Sequence, residues 1–149
     1  MPDCAPPFQP APHAGRYHRP GDQWPLYGTL SEATMWAEWQ HATGGGIEPA
    51  DDPRWRCRFQ ADLLVLDLRD EVTRQALDVR LEQLTGPWSP DAPNEACIAV
   101  AAAAQAAGAD GFIVPSAARP GAWCVDVFPS GMKGLRLIER RREVPAPLA

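Results

Sequence analysis

The sequence is short of most features that would place it quickly. It has four cysteines, Cys4, Cys57, Cys97 and Cys124, and none falls in a C-x-x-C or C-x-x-H pair, so a zinc site has little support. No apolar run approaches the roughly 20 residues that a membrane-spanning helix needs. The longest, the alanine-rich stretch around residue 100, is short and small-sided. The first residues lack a basic region followed by an apolar core, which is how a secretory leader reads. The expectation is a cytoplasmic protein with reduced thiols, outside any membrane. Positive charge is also scarce: 14 Lys and Arg against 19 Asp and Glu give a net charge of −5. That balance argues against direct nucleic-acid binding as the main business of the chain, although net charge is global and a basic pocket is local. No G-x-S-x-G elbow is present, and the three histidines, His13, His18 and His41, all lie in the N-terminal third. A Ser-His-Asp machine around Ser116 has little to stand on.

What is present is a soluble composition, 45% hydrophobic and 22% charged over 149 residues, enough for one domain with a core. Proline dominates residues 1–14, which read as an extended arm. Residues 15–140 form the domain, and 141–149 a tail. LYGTL reads as a strand and SEATMWAEWQHAT as a helix capped by Ser31, with Met35, Trp39 and Ala42 at core spacing. Gly44, Gly45 and Gly46 close it. Residues 47–57 read as a loop, and RCRFQADLLVLDL as containing a strand that ends near Leu68. Asp70 caps a helix over DEVTRQALDVRLEQL, with Val72, Ala76 and Val79 on one face. NEACIAVAAAAQAAG is a strong helix closed by Gly108. GFIVPS, WCVDVF and LRLIER read as strands. The elements lack a clean βαβ rhythm, which predicts an α+β fold with a partly antiparallel sheet.

A few residues stand out chemically. Thr34, Glu38 and His41 share one side of the first helix. A carboxylate there is either solvated, the ordinary case for glutamate, or aimed into a cleft. Arg16 precedes a Pro-Gly turn; it suits a phosphate, or the backbone carbonyls that most loop arginines take. Tyr27 is either a half-buried strand tyrosine or a ring and hydroxyl offered to a ligand. Ser116, just past a strand, is a ligand hydroxyl or a turn residue. The six tryptophans are many for this length, and Trp36, Trp39, Trp88 and Trp123 suit either a core or an interface between copies.

Taken in order, these segments resemble the RES domain family, named for an arginine, a glutamate and a serine. GRYHRPG is similar to its Gly-Arg-aromatic segment before a Pro-Gly turn. PLYGTLSEATMWAEW is similar to its tyrosine strand and glutamate helix, and LLVLDLRDEVTR to its Leu-Asp-Leu strand. AAAAQAAGADGFIVPSAARPGAWCVDVFP is similar to its alanine-rich helix, Val-Pro-Ser-Ala segment and following strand. The resemblance runs from about Gly15 to Pro129. It implies an ADP-ribosyltransferase-like fold with a mixed, partly antiparallel sheet. It also implies a toxin of a toxin–antitoxin pair that depletes NAD+ as substrate and arrests growth. No cofactor or metal is implied. The nicotinamide–ribose bond is broken by hydrolysis or phosphorolysis, or the ADP-ribose passes to a protein. Glu38, Arg16 and Tyr27 are the implied catalytic residues, and Ser116, Tyr17 and Arg119 the implied substrate contacts. The implied partners are an Xre-type helix-turn-helix antitoxin and a second copy in a homodimer. Residues 1–14 hold no arginine, where many members of the family have one on a first strand. That motivates an alternative, a binding module that pairs with an antitoxin without catalysis.

Overall fold

The computed structural model describes residues 15–22, 25–42 and 54–143. In chain order the elements are β1 (Leu26–Thr29), α1 (Glu32–Ala42), β2 (Arg54–Ala61), β3 (Val65–Asp67), α2 (Glu71–Ala76), α3 (Leu81–Leu84), α4 (Glu95–Ala106), β4 (Gly111–Pro115), β5 (Trp123–Val127) and β6 (Leu135–Glu143). A four-stranded sheet has the order β1-β5-β4-β3, and β2 and β6 form a separate two-stranded ribbon. Among the described residues only the β3–β4 pairing is parallel; β1–β5, β4–β5 and β2–β6 are antiparallel. The architecture is α+β with a mixed sheet, as the order of elements predicts.

β4 is the spine of the sheet. All five of its residues are buried, which fits a run of apolar residues covered on both faces. It opens on Gly111, where a Cβ would lie 2.2 Å from the Asp126 carbonyl oxygen; only glycine lets β5 come this close. It ends at Pro115, which has no N–H to extend a ladder. α4 covers the sheet. Asn94 caps it by accepting the Cys97 N–H at 3.3 Å, and Gly108 ends it at φ 74°, a left-handed turn that glycine adopts without strain. Cys97, Val100, Ala101 and Ala104 form its buried face, at the spacing of one helical side. They pack with Leu68, Leu84, Phe112, Val114 and Phe128 into the core. Burying a Leu or Phe side chain contributes about 1.5–3 kcal/mol.

Several expectations need correction. RCRFQADLLVLDL does contain a strand that ends near Leu68, β3, but β2 precedes it in a different sheet. Between them, the Asp62 N–H donates to the Gly134 carbonyl at 2.9 Å, and the Leu64 N–H to the Asp110 carboxylate at 2.9 Å. These loop partners satisfy the backbone that a continuous ladder would have used. β2 also begins at Arg54, inside the expected loop. The helix from Asp70 is capped as expected, with the Thr73 N–H donating to its carboxylate at 3.0 Å. It stops at Ala76, and α3 restarts at Leu81. Asp78 breaks it with φ 51°, a left-handed conformation that Asp tolerates. Val72 is consequently 70% exposed instead of facing the core. Among the described side chains of α1 the buried one is Thr34, while Met35 and Trp39 are half-buried, and the Ala42 side chain lies outside those described. Among the described cysteines Cys97 and Cys124 are buried and free, but Cys57 is disulfide-bonded, against the expectation of reduced thiols. The proline-rich arm, Gly44–Gly46 and the end of the tail lie outside the described residues. No described helix is long and apolar enough to cross a membrane.

Candidate active site

Ser116 follows β4 directly and is 2% exposed. A tight turn fixes it. The Ser116 N–H donates to the Ala122 carbonyl at 2.9 Å, and the Ala122 N–H to the Arg119 carbonyl at 3.0 Å. Gly121 supplies the positive φ of 81° that the turn needs. The Arg119 N–H donates to Ser116 Oγ at 3.0 Å, and Ser116 Oγ donates its own hydrogen to Glu38 Oε1 at 2.5 Å. This is a short, charge-assisted bond. Glu38 reaches it from α1. The Cys124 thiol of β5 donates to the same oxygen at 3.6 Å. Burial, and then the Glu38 charge, push the Cys124 thiol well above its ordinary range.

Arg119 turns its guanidinium toward α1, donating to Thr34 Oγ1 at 3.2 Å and Ser31 Oγ at 3.5 Å. With Trp123 and Gly121 these groups line a hollow of about 360 Å³, within the size range of small-molecule sites. One wall holds a cation, two hydroxyls and an indole. The Glu38–Ser116 pair stands behind it, linked through the Arg119 backbone.

A second cluster lies near the start of β1. Tyr27 Oη meets His18 Nδ1 at 2.7 Å and accepts the Tyr17 N–H at 3.4 Å. Gly15 makes room, since a Cβ there would lie 2.2 Å from His18 Cε1 and 2.9 Å from Tyr27 Oη. Tyr17 is 5% exposed, with its ring edge-on to Phe112 at 5.0 Å; it is a core residue. Arg16 donates to the Leu84 carbonyl at 3.2 Å and the Gly86 carbonyl at 2.5 Å. It thereby ties this segment to the end of α3, the ordinary use of a loop arginine.

Asp126 lies between the two clusters, and the sequence reading passed it over. It is 1% exposed and pairs in register with Tyr27 of β1 and Phe112 of β4. The Gly28 backbone N–H lies near its carboxyl and favours the charged form, but neither carboxyl oxygen makes a hydrogen bond of ordinary geometry among the described residues, and the same holds for Tyr17 Oη. Burial, reinforced by the charge of Glu38, pushes its carboxyl well above the usual range, so the neutral acid is favoured. Burial likewise raises the Tyr17 hydroxyl, with Cys97 and Asp126 adding to it. Period-two alternation was the available signal: Cys124, Asp126 and Phe128 share a strand face. Glu38, Ser116 and Arg119 are therefore brought together, with Cys124 beside them. Arg16, Tyr17 and Tyr27 form the neighbouring cluster. Among the described residues no group of three or more His, Cys, Asp or Glu side chains is placed to hold a metal.

The fold and site define an α+β domain with a carboxylate–hydroxyl pair at the end of its central strand and a cationic hollow alongside. The RES domain family profile matches residues 3–149, and the chain belongs to the RES domain family. The chain is 35% identical over 139 residues to a protein from Mycobacterium tuberculosis (strain ATCC 25618 / H37Rv) named probable NAD(+) phosphorylase Rv3189, covering 93% of this chain and 64% of that protein. The chain thus spans just under two thirds of that relative. It also superposes on a chain of the crystal structure of the M. tuberculosis MbcT–MbcA toxin–antitoxin complex with a TM-score of 0.71 at 21% identity, covering 87% of this chain and 72% of the other.

Proposed function

We propose that this protein is the toxin of a toxin–antitoxin pair and that it breaks the nicotinamide–ribose bond of NAD+, with phosphate as the preferred acceptor. The observation that carries the reading is the 2.5 Å bond between Glu38 and Ser116 beside a cationic hollow. Membership of the family and the activity for which the mycobacterial relative is named support it. In the reaction the bond from ribose C1′ to the pyridinium nitrogen breaks, and its electron pair leaves on neutral nicotinamide. A phosphate oxygen then bonds to C1′, giving ADP-ribose 1-phosphate, and a proton is released. The sugar passes through an oxocarbenium-like state. The Glu38 carboxylate faces that positive charge, and Ser116 holds the carboxylate in place and offers hydrogen-bonding to the ribose. One such preorganised group is typically worth about 3–4 kcal/mol. Arg119 meets phosphate oxygens from the hollow. Tyr27 positions the nicotinamide end, while Arg16 and Tyr17 act from behind as positioning residues. NAD+ loss arrests growth, and the site of action is the cytoplasm.

The partner in this reading is a helix-turn-helix antitoxin that covers the hollow, and the protein itself is a homodimer. Trp36, Trp39, Trp88 and Trp123 are all half-buried, which suits an interface; light scattering on the purified chain checks the dimer. Inducing the protein in a bacterium should deplete cellular NAD+ within the period of growth arrest. Induction of Glu38→Gln to the same level should leave both unchanged. Level NAD+ while folded wild-type protein accumulates would refute the reading. One observation favours a non-catalytic binding module: the Arg16 guanidinium is engaged by two backbone carbonyls. Calorimetry distinguishes the two, since the module would bind an antitoxin but not NAD+. Labelled NAD+ in a lysate tests transfer to protein.

A further inference from the structure

The β2–β6 ribbon reverses the charge of the chain. Residues 55–61 and 135–142 hold six arginines, Arg56, Arg58, Arg136, Arg140, Arg141 and Arg142, against the single Glu139. The ribbon therefore carries a surplus of five positive charges in a chain of net charge −5, leaving −10 on the rest. The register sorts these groups. Arg56 lies opposite Arg141, and Arg58 opposite Glu139, so by alternation one face presents these four side chains and no apolar one. Like charges directly opposite each other destabilise a sheet, and Arg56 and Arg141 are such a pair. Glu32 of α1 engages Arg56, whose side chain is 16% exposed. Arg58 and Arg141 share Glu139, yet their side chains remain 68% and 61% exposed. At the end of the ribbon Arg140 lies 3.8 Å over the Trp55 ring, Trp55 is 42% exposed, and Arg142 is exposed opposite it.

We propose that this ribbon is a contact for the phosphate backbone of duplex DNA, made by Arg58 and Arg141 on its charged face. A protein partner would want an apolar centre in the patch. The charged face has none, whereas a phosphate backbone asks only for cations. Arginine suits that role because its planar fork pairs with two phosphate oxygens. The exposed ion pairs at Glu139 are weak and exchange readily for phosphate. The negative charge on the rest of the chain is screened beyond about 10 Å at 0.1 M salt, so the ribbon acts locally. The contact is sequence-independent, because nothing in it reads base edges.

Fluorescence anisotropy with a labelled duplex of about 20 base pairs tests this on the full chain. Two phosphate contacts give a slope of about −1.8 in log affinity against log salt, or about 12-fold weaker binding from 50 to 200 mM. The variant Arg58→Ser/Arg141→Ser should lose that salt-dependent binding while keeping its melting temperature. Should the double variant fold poorly, Arg141→Ser alone should reduce the slope by about 0.9. The proposal is overturned if the wild-type chain shows no salt-dependent binding, or if a folded variant binds as tightly as wild type. It is also overturned if labelled poly-glutamate binds as well as the duplex, which would mark an acidic-peptide site. None of these outcomes depends on NAD+ cleavage.

Discussion

Replacing Asp126 by Asn should change how stability depends on pH. Asp126 is 1% exposed, neither of its oxygens makes a hydrogen bond of ordinary geometry among the described residues, and the Gly28 backbone N–H near them offsets the burial only in part. Burial and the nearby Glu38 charge hold its carboxyl well above the usual range in the fold, while the unfolded chain restores the ordinary value of about 4. Between those values the native state holds a proton that the unfolded state releases. Stability from this group is therefore complete below about pH 4 and is lost as pH rises, by about 1.4 kcal/mol per pH unit until the folded value is reached. Tyr17, Tyr27, Cys97, Cys124 and Glu38 all interact with this carboxyl. Burial raises the two hydroxyls and the two thiols, so these four keep their protons across the pH range compared. Asn matches Asp in shape and does not titrate. Urea unfolding of both proteins at half-unit steps from pH 4.5 to 7 should show wild type losing stability more steeply than Asp126→Asn, by up to that amount per unit. Parallel curves would mean that Asp126 ionises in the fold as it does in water, and the reasoning about its burial would fail.

Other perturbations give sharper local outcomes. Glu38→Gln should lower NAD+ cleavage by about 10²–10³-fold, with a melting temperature near wild type. Gly15→Ala places a Cβ 2.2 Å from His18 Cε1, so it should separate His18 from Tyr27; the shift is visible in the His18 ring resonances. Phe112→Ala empties a fully buried position between Tyr17 and Phe128 and should cost about 3–5 kcal/mol by urea unfolding. Asn94→Ala removes the α4 cap and the 2.8 Å bond to the Gln83 carbonyl and should cost about 1–2 kcal/mol by the same measurement.

The parts of the fold that were legible carry local signals. α4 was readable because Asn94 caps it, alanine favours it and Gly108 ends it. β4 was readable because an apolar run stops at Pro115. The breaks at residues 62–64 and at Asp78 were not, because their partners lie far along the chain. Asp110 and Gly134 decide the first, and no local pattern names them. The left-handed turn at Asp78 depends on packing that lets α3 bury Leu84 and leaves Val72 outside. The meeting of Glu38 with Ser116 spans 78 positions of sequence; the family resemblance suggested it, and spacing could not. Arg16 suited a phosphate or backbone carbonyls, and the coordinates place it on the carbonyls. Asp126 sits at an inward strand position that is normally apolar, so its type hid its location.

The most direct test of the central claim is nicotinamide release by the purified protein, with NAD+ and inorganic phosphate, for wild type, Glu38→Gln and Ser116→Ala. The account predicts phosphate-dependent release by wild type, with ADP-ribose 1-phosphate formed in equal amount and both variants strongly slowed. Release by wild type that is undiminished in both folded variants would contradict it, and so would no release from the folded wild-type chain.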